Sequence, residues 1–87
     1  MKSLKEIVFE GVGVKYYLLH NNHEVNREEL EEACKSPSAL IHYVSCILTD
    51  VLQMLALNYP RQAVVAEIEE AKYYLICLAQ FLERQDG

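Results

Sequence analysis

The sequence predicts an all-α fold, a small helical bundle built on a long antiparallel helical hairpin with an N-terminal helix and a short acidic helix. Three observations carry that expectation. Leu40, Val44, Ile47, Val51 and Met54 recur at alternating steps of four and three residues. Val64, Ile68, Ala71, Leu75, Leu78 and Leu82 repeat the same pattern. Between the two runs stands Asn58-Tyr59-Pro60, a helix-breaking stretch that reverses the chain and lets two coiled-coil-like seams face each other.

The elements follow in order. Ser3-Leu4-Lys5-Glu6 has the form of a capping box, with Ser3 as cap and Glu6 reaching back. Leu4, Ile7, Val8, Gly11, Val14 and Leu18 then recur at helical spacing, which predicts a helix over about 4–19. The same stretch alternates at Val8, Glu10, Val12, Val14 and Tyr16, so a strand remains the competing reading. Gly11 falls on the apolar face, where it admits close approach of another helix. His20-Asn21-Asn22-His23 forms a turn. Asn26 and Glu29 make a second capping box, stapled by Val25 and Leu30, for a short acidic helix over about 27–35. Ser36-Pro37 restarts the chain with a cap and a proline at the first helical position. The hairpin helices are expected at about 38–57 and 61–84, in one domain spanning 1–87.

Composition narrows the function. In 87 residues, 52% are apolar, and the net charge is −5. A chain this short buries a modest share of its surface. Its apolar excess therefore predicts a second surface to cover, by a partner or by a copy of itself. The acidic balance disfavours attraction to nucleic-acid phosphate. Acids concentrate at Glu24, Glu28, Glu29, Glu31 and Glu32, where they could solvate a sticky oligomer or mimic phosphate toward a basic partner. From Ser36 to Pro60 the sole formal charge is Asp50.

Ala39 to Leu57 comes nearest to the about 20 apolar residues of a membrane span. His42, Ser45, Thr49, Asp50 and Gln53 interrupt it, so it reads as a buried helix and no membrane role is expected. The opening hexapeptide lacks the apolar run of a secretory signal. Three widely spaced cysteines, Cys34, Cys46 and Cys77, fit reduced thiols in a cytoplasmic protein.

Chemistry is thinly represented. His42, Cys46 and Asp50 stack four apart along one helix, which permits a nucleophile–base pair or half of a zinc site. His20 and His23 add an H-x-x-H turn. No glycine-rich turn at a helix start, oxyanion hole or C-x-x-C accompanies them. The expectation is that the chain is not an enzyme and takes no cofactor or metal. A helix-turn-helix cadence runs through residues 27–43, but its second helix has no Lys or Arg to meet DNA.

Two faces stand out instead. The central helix has a second apolar seam, Ile41, Leu48, Leu52 and Leu55, for which the N-terminal helix is the expected neighbour. Its remaining face shows His42, Ser45, Cys46, Thr49, Gln53 and Ala56, polar yet almost uncharged. A solvated helix face carries Lys and Glu. This stripe therefore packs either on a second protein surface or beneath the acidic helix. His42, Ser45, Thr49 and Gln53 are candidates for a self-interface, and Tyr17, Val65, Tyr73 and Ile76 for a partner interface. Tyrosine there gives area and a hydroxyl at low entropy cost, although scattered surface residues need no such explanation.

The expected function is a non-enzymatic protein–protein interaction module, a homodimeric adaptor, subunit or inhibitor acting through helix-face packing. The alternative is a small helix-turn-helix-like transcriptional regulator contacting DNA through residues 27–43. If the stripe is the self-interface, Ser45→Arg or Thr49→Arg splits the oligomer without unfolding it. Light-scattering mass tests this, and unchanged mass in both variants rules the stripe out.

Overall fold

The computed structural model describes residues 2–19 and 27–86, with backbone only at 12–19, Arg27 and Asp86. The described residues form four helices, α1 (Leu4–Leu19), α2 (Arg27–Ala33), α3 (Pro37–Ala56) and α4 (Arg61–Asp86). Helix, not strand, is thus the form of 4–19. The turn at 20–23 and the cap and staple residues Val25 and Asn26 lie outside the described residues.

Local chemistry sets the helix ends. The Glu6 amide donates to Ser3 Oγ at 3.2 Å, and the Ser3 hydroxyl lies 3.3 Å from Glu6 Oε1. At α3 the Ala39 amide donates to Ser36 Oγ at 3.0 Å, with Pro37 in the first turn. The far end of α3 is closed by two reversed hydrogen bonds. The Asn58 amide donates to the Leu55 carbonyl at 3.2 Å and the Tyr59 amide to the Met54 carbonyl at 3.0 Å. Asn58 sits between them at φ 58°, the left-handed position that closes a Schellman motif. Asn tolerates that conformation better than any branched residue. The Ala63 and Val64 amides then donate to the Pro60 carbonyl, and α4 begins.

These ends make α3 and α4 an antiparallel hairpin. The α3 seam behaves as expected: Leu40, Val44, Ile47 and Val51 are buried and Met54 half-buried. The α4 seam does not. Val64, Ala71 and Leu78 are buried, but their alternating partners Ile68, Leu75 and Leu82 are 44%, 46% and 44% exposed. Tyr74, Cys77 and Glu70 are buried in their place, with Phe81 half-buried. At about 100° per residue, the buried arc of α4 is rotated by roughly 60° from the expected one. The reason is that α4 has two neighbours. One flank packs on α3 and the other on α1. The arc must bisect them, and Tyr74 lies near its middle.

The second α3 seam is corrected for the same reason. α1 docks on α4, not over Ile41, Leu48, Leu52 and Leu55, which remain 51%, 44%, 68% and 55% exposed. The core is built from Leu4, Ile7 and Val8 of α1, Leu30 and Ala33 of α2, Cys34, Leu40, Val44 and Ile47 of α3, and Ala71, Tyr74, Cys77 and Leu78 of α4.

Gly11 explains how α1 comes so close to α4. A Cβ built at Gly11 collides with the Tyr73 hydroxyl, which donates to the Val8 carbonyl at 3.3 Å. Two effects oppose each other in Gly11→Ala. Helix propensity favours Ala by about 1 kcal/mol. Displacing Tyr73 loses a hydrogen bond and packing together worth about 1–3 kcal/mol. Gly11→Ala is therefore expected to destabilise the protein in the native background and to cost less in Tyr73→Phe, where the hydroxyl is gone and only the ring edge must give way. Urea unfolding of the four proteins of this double-mutant cycle measures the coupling.

Candidate functional site

The described residues offer three places where chemistry or binding can concentrate: a buried polar chain, a groove between α2 and α3, and the open face of the hairpin.

The buried chain runs through α3 and α4. Tyr74 is fully buried, and its hydroxyl donates to Glu70 Oε1, one turn earlier, at 3.2 Å. The Tyr43 ring meets the Tyr74 ring edge-on, with centroids 5.5 Å apart. Burial, and then the Glu67 carboxylate, push the Glu70 carboxyl up to about 7, against a smaller downward pull from the Tyr74 hydroxyl. Burial, then Glu70 and Glu29, push the Tyr43 phenol up to about 12. Burial and the neighbouring Cys77 push the Cys34 thiol up to about 11, with Lys5 opposing. A thiol held neutral in this way is a small hydrophobe, not a nucleophile. Glu70 was missed by sequence reasoning. Its signal was there: a carboxylate four residues before a tyrosine shares that tyrosine's helix face.

The groove of about 610 Å³ lies between α2 and α3 and is lined by Glu28, Glu29, Glu32, Ala33, Ala39, His42, Tyr43 and Cys46. His42 Nε2 and Cys46 Sγ are 4.0 Å apart. Asp50, the third member of that row, is not part of the groove. No group of three metal-ligating side chains gathers among the described residues. His20 and His23 lie outside them. The groove is acidic at its α2 rim, where Glu28, Glu29 and Glu32 are exposed. α2 therefore presents glutamates to this groove, and α3, which would have to read DNA, carries no Lys or Arg where such a unit needs cations.

The open face is the largest feature. On α3 the contact with α2 uses the Ala39–Tyr43 flank, and on α4 the contact with α1 uses the Tyr73–Cys77 flank. A Lys5–Glu31 pair at 3.8 Å links α1 to α2, so both lie on one side of the hairpin. Ile41, Leu48, Leu52 and Leu55 are displaced about 100° the other way round α3. Ile68, Leu75 and Leu82 are displaced in the same sense round α4. In an antiparallel pair, equal senses of rotation bring residues to the same face. These seven side chains therefore form one apolar surface on the back of the hairpin, away from α1 and α2.

The candidate stripe adjoins it. His42, Ser45, Thr49 and Gln53 are exposed, which answers the question of burial beneath α2 for these four. The Thr49 hydroxyl donates to the Ser45 carbonyl at 3.0 Å within the helix. Of the partner-interface candidates, Val65 and Ile76 are exposed at 43% and 46%. Tyr73 is half-buried against Gly11, and the side chain of Tyr17 lies outside the described residues. α3 is also the one described helix long and apolar enough to cross a bilayer by length and composition.

No family model, curated protein or solved structure matches this chain.

The buried carboxyl has a measurable signature. Its folded pKa of about 7 lies above the ordinary 4.5. Between those values the folded state holds a proton that the unfolded state has lost, so stability falls as pH rises through that window. The full cost is about 3 kcal/mol above pH 7. Glu70→Gln, which keeps the size and an acceptor for Tyr74, is expected to stabilise the protein at pH 8 and to have little effect at pH 4. Denaturant unfolding at both pH values checks this.

Proposed function

We propose that this chain is a non-enzymatic protein–protein interaction module whose contact surface is the back of the α3–α4 hairpin. One observation carries the reading: seven large aliphatic side chains, each about half exposed, share that face. They sum to about 600 Å² of apolar surface, the upper end of what a monomer leaves open and near the about 800 Å² that one partner contributes to a standard interface. The uncharged stripe at Ser45 and Thr49 extends the face with hydrogen-bonding groups, as the rim of an interface does. A cytoplasmic setting belongs to the same proposal and is supported by three free cysteines.

A bilayer is the chief competitor for an apolar face. It is disfavoured by the make-up of α3, one side of which packs on α4 while its outer side carries Asp50, Gln53 and His42. No observation favours the DNA-reading alternative for residues 27–43.

A photo-reactive amino acid placed at Leu52 in the native cell tests the proposal, with Gln62, exposed near the start of α4, as the control position. Protein adducts are expected at Leu52 and not at Gln62. Adducts to lipid alone, or equal yields at both positions, overturn it.

A further inference from the structure

We infer that the occupant of the back face is a second copy of this chain, bound about a two-fold axis that passes beside Leu48 with the two α3 helices antiparallel. This inference rests on the interaction reading above and names its partner.

The arrangement of charge points first to self-association. The chain carries −5, and Glu28, Glu29 and Glu32 make α2 an exposed cluster of acids. α2 lies on the side of the hairpin opposite the apolar face. Two copies meeting back to back place their acidic helices at the two outer surfaces, with both hairpins between them. Repulsion between like charges falls with distance and is screened beyond about 8–10 Å. A pairing through the α2 side would instead set the two acidic helices against each other. At the margin of the face, α4 carries Arg61 and Lys72 alongside Glu69 and Glu83, a balanced set that opposes neither approach.

The α3 pattern then fixes the register. Ile41 and Leu55 lie seven residues either side of Leu48. Under a two-fold axis at Leu48, Ile41 meets the partner's Leu55, Leu55 meets the partner's Ile41, and Leu48 meets its own symmetry mate. A two-fold interface requires such self-complementarity. Leu52, the most open of the seven at 68%, comes level with the partner's Val44. There it enters the gap between the partner's Ile41, Ser45 and Leu48. Ser45 is small, so the gap is open to a leucine. Ile68, Leu75 and Leu82 of α4 flank this central contact, and full burial of the face on both copies removes about 1,200 Å², the lower end of what a specific interface buries. α3 has no formal charge on this face, so no charge is buried at the centre.

The test uses the full chain at about 100 µM and below. Light scattering is expected to give the mass of two chains. Leu48→Glu places two like charges on the axis and is expected to raise the dissociation constant at least about 100-fold, leaving a monomer with native helix content. Leu48 is already half exposed, so the monomer fold tolerates the change. A second variant tests the register. Leu48→Cys in a Cys46→Ser background is expected to cross-link between copies under copper phenanthroline, while Gln53→Cys in the same background, on the far side of α3, is not. A monomer at every concentration overturns the inference, as does a dimer that survives Leu48→Glu or cross-links equally through Gln53→Cys. A monomer whose Leu52 photo-adduct is a different protein sinks the second copy and leaves the interaction reading standing. A monomer that binds phosphatidylcholine–phosphatidylglycerol vesicles through this face, with no protein adduct, sinks both.

Discussion

The burial of Tyr74 governs the rest of the architecture. It is the largest side chain with no exposure, and its hydroxyl must find an acceptor inside the core. Glu70, one turn earlier on the same face, supplies one. That pair can sit between α1 and α3 only if α4 turns its Tyr74 side inward. Turning it inward carries Ala71, Cys77 and Leu78 into the core and swings Ile68, Leu75 and Leu82 out of it. The buried hydrogen bond and the exposed apolar face are thus two results of one rotation.

Most of the fold was legible in the sequence because its signals are local. Ser36-Pro37, Asn58 and the Ser3 cap each act within one turn of backbone, and each does what its side chain dictates. The α3 seam was legible too, since α3 meets its main neighbour α4 with a single arc. The α4 seam was half legible. Val64, Ala71 and Leu78 belong to both the expected and the observed arcs, and only the third helix decides which flank accompanies them. A heptad pattern describes a helix with one partner. α4 has two, and Tyr73 and Gly11 show why: a glycine on α1 gives the tyrosine ring and hydroxyl their space. That contact joins residues more than sixty positions apart, beyond the reach of periodicity.

The same limit explains the candidate site. Ile41, Leu48, Leu52 and Leu55 were visible as a seam, yet a seam does not announce what covers it. The economical expectation was the N-terminal helix. Once α1 is committed to α4 through Gly11 and Tyr73, no described helix remains for the back of α3. The uncharged stripe drew notice through its composition, and it lies at the border of the larger apolar face. Glu70 escaped notice because acids on amphipathic helices are read as solvent-facing.

The burial of Glu70 and the exposure of the back face together say something about how this small domain is stabilised. An ionised carboxylate in the core opposes folding near neutral pH, in a chain whose core is limited by its length. Leaving seven aliphatic side chains in water forgoes a further hydrophobic contribution. Both losses are tolerable if the state that matters is an assembly, because burying the back face adds to the free energy that holds the hairpin together. The hairpin is the element that benefits most directly, since α3 and α4 both supply the face. On this reasoning, stability and association are linked through α3: its inner seam closes the domain, its outer seam closes the interface, and a change on either side is felt by the other.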